Sequence, residues 1–178
     1  MQQIATGANR FALVIGNCSL VSTGRLPDIL KEMIRTTTPG GLVALALRTA
    51  SSFGEFYSVY WEALHNSGLV DYEADVEDFI AELPTVSDIE ELAEREGLEQ
   101  VTTWTESEEF GYESGEAFLS SPLVADFLMQ GWLASVPDKW RARVSAEIAR
   151  IINEERHETE FVFKVKATLL MGQKTQSH

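Results

Sequence analysis

Residues 11–16, Phe-Ala-Leu-Val-Ile-Gly, form a short apolar run without alternation. Such a run predicts a strand covered on both faces. Over residues 25–36 the period changes. Leu26, Ile29, Leu30, Met33 and Ile34 share one helical face, and Pro27 suits a first turn. Thr38-Pro39-Gly40-Gly41 must stop that helix, because proline restricts the residue before it and glycines follow. Residues 41–47 are a second buried-strand run. Strand, helix and strand with short connections predict a right-handed βαβ unit with a parallel pair.

Residues 52–67 read as a helix whose stripe is Phe53, Phe56, Tyr57, Tyr60, Trp61 and Leu64. Residues 71–82 are acidic and read as a loop with a short helix. Ser87-Asp88-Ile89-Glu90 has the form of a capping box, opening a helix that runs to Arg95 with Gly97 as its left-handed terminus. Residues 101–105 form the next expected strand. Ser121-Pro122 opens one further helix and Pro137 another, the latter with Trp140, Val144, Ile148, Ile151 and Ile152 on one face. Residues 160–172 alternate. Phe161, Phe163, Val165, Ala167, Leu169 and Met171 form the apolar face, against Lys164, Lys166 and Thr168 on a wetter one. That pattern suits an antiparallel edge or near-edge strand.

The chain has 178 residues, enough for about one domain with a real core, and the expected organisation is a single domain over 1–178. A net charge of −14 makes nucleic acid and anionic lipid surfaces poor partners, leaving only a local basic patch at Lys139, Arg141 and Arg143. One cysteine excludes an internal disulfide and points to a reducing, cytoplasmic compartment. No apolar run is long enough to span a membrane, and no signal peptide is visible.

No dinucleotide, P-loop or nucleophile-elbow motif occurs. His65, His157 and His178 are scattered. His157 among Glu154, Glu155, Glu158 and Glu160 reads as a solvated acidic helix end rather than a metal site, so no metal is expected. Cys18 ends the first strand, where α/β proteins bind ligands, but no histidine is placed to activate it, so it reads as a lining residue. The aromatic stripe has two uses open to it: packing on the sheet, or walling a substrate pocket with Tyr57, Tyr60 and Trp61.

The order of these elements resembles the C-terminal half of a class I S-adenosylmethionine-dependent methyltransferase. Residues 11–16 with the turn Asn17-Cys18-Ser19 are similar to that family's fourth strand and the turn after it. Thr38-Pro39-Gly40-Gly41 is similar to its Lys-Pro-Gly-Gly-like turn, and residues 42–47 to its fifth strand. The helical stretch Ser87-Asp88-Ile89-Glu90-Glu91-Leu92-Ala93-Glu94-Arg95-Glu96-Gly97-Leu98 resembles the one before its sixth strand, and residues 161–171 its antiparallel seventh.

The resemblance implies an α/β fold in three layers, with a mostly parallel sheet, an antiparallel last strand and a helical insertion at about 110–158. This is a partial Rossmann-like methyltransferase fold with sheet order 4-5-7-6 in the family's numbering. It implies S-adenosyl-L-methionine as cofactor, with Asn17, Cys18 and Ser19 as its minor contacts, and a small-molecule acceptor. The family's glycine-rich loop and second-strand acidic residue have no counterpart here, so weak or no cofactor binding is expected of this chain alone. The first strand is then an unguarded edge. Residues 10–17 are expected to pair with a missing N-terminal half or a second copy. The alternative is a non-enzymatic partner or remnant that self-associates through that strand.

Overall fold

The computed structural model describes residues 7–50, 52–155 and 161–176. Strand β1 (Phe11–Asn17) pairs in parallel with β2 (Thr37–Arg48), with Leu13 opposite Leu42 and Asn17 opposite Ala46. Helix α1 (Leu26–Thr36) joins them after one 3-10 turn at Thr23–Arg25. Its residues Leu26, Leu30, Met33 and Ile34 are buried, each stabilising the fold by about 1.5–3 kcal/mol.

The structure corrects two expectations here. The segment Thr38-Pro39-Gly40-Gly41 is not a turn ahead of the strand but part of β2. Phe11 lies opposite Thr37 while Leu13 lies opposite Leu42, so a wide bulge takes up the difference and accommodates Pro39 within the strand. Gly41 is required there, since a Cβ would come within 2.8 Å of Thr37 Cγ2 and 2.9 Å of the Ala12 carbonyl oxygen. Nor is β1 covered on both faces. Phe11, Leu13 and Ile15 are 46, 49 and 72% exposed, and only the Val14 side of the strand packs on a core.

The four strands form one mixed sheet in the order β1-β2-β4-β3, with helices around it. This is the order expected from the sequence. Strand β4 (Phe161–Lys174) runs antiparallel to β2, with Leu45 opposite Leu170. It is therefore an interior strand, and the edge position belongs to β3 (Leu98–Tyr112). Strand β3 extends well beyond the expected 101–105, because its second half, Glu106-Ser107-Glu108-Glu109, carries no apolar alternation to announce it.

The alternation expected along β4 also fails partway. Phe161 and Phe163 are buried, but farther along it is Thr168, Leu170 and Gly172 that are buried while Leu169 is exposed. Thr168, assigned from sequence to the wet face, is fully buried. Its hydroxyl is satisfied by Thr49 Oγ1 at 3.0 Å and Thr105 Oγ1 at 2.8 Å.

Helix α4 (Val86–Arg95) is capped two residues earlier than expected. Thr85 Oγ1 accepts from the Asp88 amide at 3.1 Å, and Asp88 Oδ2 accepts from the Thr85 amide at 2.8 Å. The Thr85 hydroxyl also donates to Asp88 Oδ2 at 2.7 Å, and this bond first, with the one from the Thr85 amide, holds the Asp88 carboxyl below its usual range. Two overlapping capping signatures compete in Thr-Val-Ser-Asp-Ile-Glu. The earlier one forms, and Glu90 is left to accept from the Thr103 hydroxyl at 2.6 Å.

The chain divides into two compact units. One comprises Met1–Ala50, Glu82–Ser107 and Lys166–His178; the other comprises Ser51–Ala81 and Glu108–Val165. The first has an aliphatic core that includes Leu30, Met33, Val43, Leu45, Ile89 and Leu170. In it, Lys174 closes the C-terminus of α1 by donating to the carbonyls of Ile34 (2.7 Å) and Thr37 (2.9 Å). The second holds α2 (Gly54–Asn66), α3 (Glu73–Glu82, all but its last residue), α5 (Gly115–Ser120), a π-helical segment (Leu123–Leu128), α6 (Met129–Trp132) and α7 (Asp138–Glu155). Residues 71–82 are thus more helical than expected. His157, Glu158 and Glu160 lie outside the described residues, as does His178.

Candidate functional site

Helix α2 begins without a side-chain cap, at Phe53 in the left-handed region (φ 66°). That conformation is strained for a bulky residue and is held by its surroundings. Phe53 is buried, its amide donates to the Lys164 carbonyl at 2.9 Å, and its ring stacks on Phe163 at 5.0 Å. One turn on, Phe56 stacks on Trp132 with centroids 3.8 Å apart and on Tyr60 at 5.7 Å. The expected stripe is therefore a core face, with Val59 and Ala63 buried as well.

Within that stripe the three pocket candidates separate. Tyr60 is fully buried and donates its hydroxyl to the Trp132 carbonyl at 2.7 Å. Burial, helped by the charge of Asp75, pushes its phenol far above the ordinary value, so it stays neutral. Tyr57 is buried and stacks on Phe79 of α3. Trp61 is 43% exposed and stacks against the His65 ring at 5.5 Å. His65 Nδ1 in turn lies 3.0 Å from Glu73 Oε1.

Tyr57 and Trp61 line one cavity of about 300 Å³ between α2 and α3; Tyr60 does not. Val76 and Ile80 form the opposing wall, Gly54 and Ser58 complete the α2 side, and Glu77 contributes the single charged side chain. The Ser58 hydroxyl is turned back to the Gly54 carbonyl at 3.3 Å. Val76, Glu77 and Ile80 were not singled out in the sequence. The i, i+4 spacing of Val76 and Ile80 was the available signal, hidden by the acidic residues between them.

The turn Asn17-Cys18-Ser19 belongs to the other unit. Asn17 Oδ1 accepts from the Ser19 amide at 3.0 Å, a local turn that leaves Asn17 exposed at the carboxyl end of β1. The Cys18 amide donates to the Ala46 carbonyl at 2.7 Å. Cys18 itself is buried, and burial pushes its thiol up, which suits a packing residue and not a thiolate nucleophile. Among the described residues there is no cluster of three or more His, Cys, Asp or Glu that could hold a metal, and no helix long and apolar enough to cross a membrane. The cations near Trp140 are engaged. Lys139 and Arg143 approach its ring at 5.6 and 5.4 Å, and Arg141 pairs with Asp138 at 3.0 Å.

No family model matches the sequence, and no curated protein does. Among solved structures the chain is similar to loganic acid methyltransferase with SAH, at 12% identity and a TM-score of 0.58. That match covers 95% of this chain and 63% of the other. It is also similar to the YcgJ protein of Bacillus subtilis, at 12% identity and a TM-score of 0.51, covering 98% of this chain and 68% of that one. The chain thus spans about two thirds of the length of each. At this identity the likeness concerns the fold alone: the mixed sheet with its antiparallel β4 is similar to part of the fold of loganic acid methyltransferase.

Proposed function

We propose that this chain takes part in methyl transfer from S-adenosylmethionine to a small-molecule acceptor, with a separate segment supplying the glycine-rich cofactor loop beside β1. The observation that carries this reading is the sheet order β1-β2-β4-β3 with an antiparallel β4, joined to an exposed Asn17 where β1 ends. Ligands of α/β sheets bind outside the carboxyl ends of strands.

The residues present fit the minor part of a cofactor site. Asn17 offers its carboxamide, Ser19 its hydroxyl and Cys18 an apolar wall; an acidic ribose anchor and a loop of amides for the rest of the cofactor are not among them. Bound cofactor supplies an electrophilic methyl on a sulfonium. The chain's own contribution is to hold an acceptor in line with that methyl, so positioning matters more than a fixed catalytic group. Tyr57 and Trp61 are the acceptor-pocket walls in this reading, and Tyr60 fixes α2 from within the core.

Calorimetric titration of S-adenosylmethionine into the chain alone is expected to show no saturation in the micromolar range. Micromolar affinity would overturn the need for a completing segment. The methyl-transfer reading itself fails if a complex that includes a glycine-rich strand–loop–helix partner binds no S-adenosylmethionine either.

A second reading is self-association through β1 without catalysis, favoured by the exposure of Phe11, Leu13 and Ile15. Ile15, the most exposed of the three, is the position at which to test it. Ile15→Lys should raise the monomer fraction in light scattering, and a wild-type chain that stays monomeric at high concentration removes this reading.

A further inference from the structure

We propose that the cavity between α2 and α3 binds an organic ammonium ion, an amine or quaternary ammonium with a hydrocarbon body. The binding itself rests on the cavity; in the transfer reading above, only an amine that has first released its proton to solvent has the lone pair to take the methyl, and a quaternary ammonium binds without being methylated at nitrogen. Three observations carry it.

The walls are apolar and aromatic: the Trp61 and Tyr57 rings, Val76 and Ile80 line an open concavity of about 300 Å³, with Trp61, Ile80 and Glu77 themselves exposed. They suit a ligand that brings hydrocarbon rather than a hydrated ion. The only charge on the lining is the Glu77 carboxylate, and among the described residues no cation pairs with it. The stretch Ser51–Ala81, which supplies every lining residue, holds seven Asp and Glu and no Lys or Arg. His65 is occupied with Glu73, and Lys164, whose charge reaches Glu55, is paired to Glu109 at 2.8 Å.

A concave site lined by one sign of charge over low-dielectric walls concentrates ions of the other sign. An aromatic face and a carboxylate together favour a large, weakly hydrated cation: the ring quadrupole attracts it, and its desolvation costs less than that of a small ion. A metal ion would need several oxygen or nitrogen donors, and this cavity offers one carboxylate. An anion would meet the same field as repulsion.

The test uses three soluble probes of one shape and different charge: choline, neutral 3,3-dimethylbutan-1-ol and anionic 3,3-dimethylbutanoate. Each is titrated into the full chain at constant ionic strength, and the Trp61 indole N–H resonance, assigned with Trp61→Phe, is followed by NMR. Choline is expected to bind about tenfold more tightly than the alcohol, and the butanoate not to shift Trp61. Glu77→Gln should weaken choline about fivefold and leave the alcohol unchanged.

The proposal is overturned if the alcohol binds as tightly as choline, if none of the three shifts Trp61, or if Glu77→Gln changes nothing. Alcohol binding without choline preference would leave a neutral acceptor pocket and the transfer reading intact. Choline binding in a chain whose completed complex takes no S-adenosylmethionine would retain the ammonium site and remove the transfer reading.

Discussion

The two units reach dense packing by different chemistry. In the unit that carries β1, β2 and α1, the buried core is aliphatic: Leu, Ile, Val and Met side chains stand on strand and helix faces at their regular periods. In the unit that carries α2 and α7, the centre is a set of rings, with Phe53, Phe56, Tyr60, Phe118, Trp132 and Phe163 in mutual contact. An aliphatic layer is fixed by register, since a one-residue slip turns every side chain to the other face. A ring cluster is fixed by the angles and separations of its members, and tolerates irregular backbone around it. The π-helical segment at Leu123–Leu128 and the left-handed Phe53 both border that cluster. This unit has a concavity between α2 and α3, whereas the aliphatic unit has an exposed apolar strand.

The comparison breaks most sharply where backbone touches backbone. A Cβ at Gly115 would overlap Ala149 of α7 and come within 2.5 Å of its carbonyl oxygen. Gly115→Val should cost about 3 kcal/mol or more, because α5 cannot stay against α7. Gly54→Ala, with nothing within 4 Å, is the control and should change little by comparison. Denaturant melts of both variants check this. Next in size are the large-to-small substitutions. Phe56→Ala removes a ring that touches Tyr57, Tyr60, Phe118 and Trp132, and should cost about 3–5 kcal/mol. Leu30→Ala in the aliphatic unit should cost about 2–5 kcal/mol. Near-UV circular dichroism separates them, since only Phe56→Ala should change the aromatic signal.

The same division governs what the sequence could show. Helix α1 was legible because its apolar residues recur at the helical period, and β1 and the core of β2 because each is a short continuous apolar run. The parallel β1-β2 pair followed from the βαβ unit, and the full sheet order from the family resemblance. What escaped was set by partners far along the chain. The burial change along β4, where Leu169 is exposed and Thr168 buried, depends on hydroxyls at Thr49 and Thr105 that no local pattern reveals. The Lys174 cap joins positions about 140 residues apart. In the candidate site, Tyr57 and Trp61 were legible as polar-edged aromatics, but Tyr60 had the same signature and lies in the core. Its hydroxyl is satisfied there by the Trp132 carbonyl, 72 residues along the chain.

That carbonyl gives a smaller effect. Tyr60→Phe deletes one buried hydrogen bond and should cost about 0.5–1.5 kcal/mol. The pH dependence follows from the raised phenol. Above about pH 10 the unfolded chain would ionise this tyrosine while the folded chain keeps it neutral. Its contribution is therefore complete below that pH and is lost progressively as pH rises from there toward the raised folded-state value. Stability curves of wild type and Tyr60→Phe should converge above that pH. Parallel curves would mean that the hydroxyl titrates alike in both states.

The smallest expected effect lies at the other end of α2. Ser67 closes the helix, is 5% exposed, and its hydroxyl has no hydrogen-bond partner among the described residues. A buried hydroxyl left unmatched opposes folding, because water satisfied it in the unfolded chain. Ser67→Ala keeps the backbone bond from the Ser67 amide to the Ala63 carbonyl at 3.1 Å and removes only the orphaned group. Alanine also has the better helix propensity at a helical φ of −80°. The change should therefore be neutral or stabilising, within about 0.5–1 kcal/mol. Deletion of the Tyr60 hydroxyl, seven residues earlier on the same helix, should be destabilising. The pair of melts thus separates the hydrogen bond from the hydroxyl that carries it. A loss of more than about 1 kcal/mol in Ser67→Ala would show that the Ser67 hydroxyl has a bound water or another partner in solution.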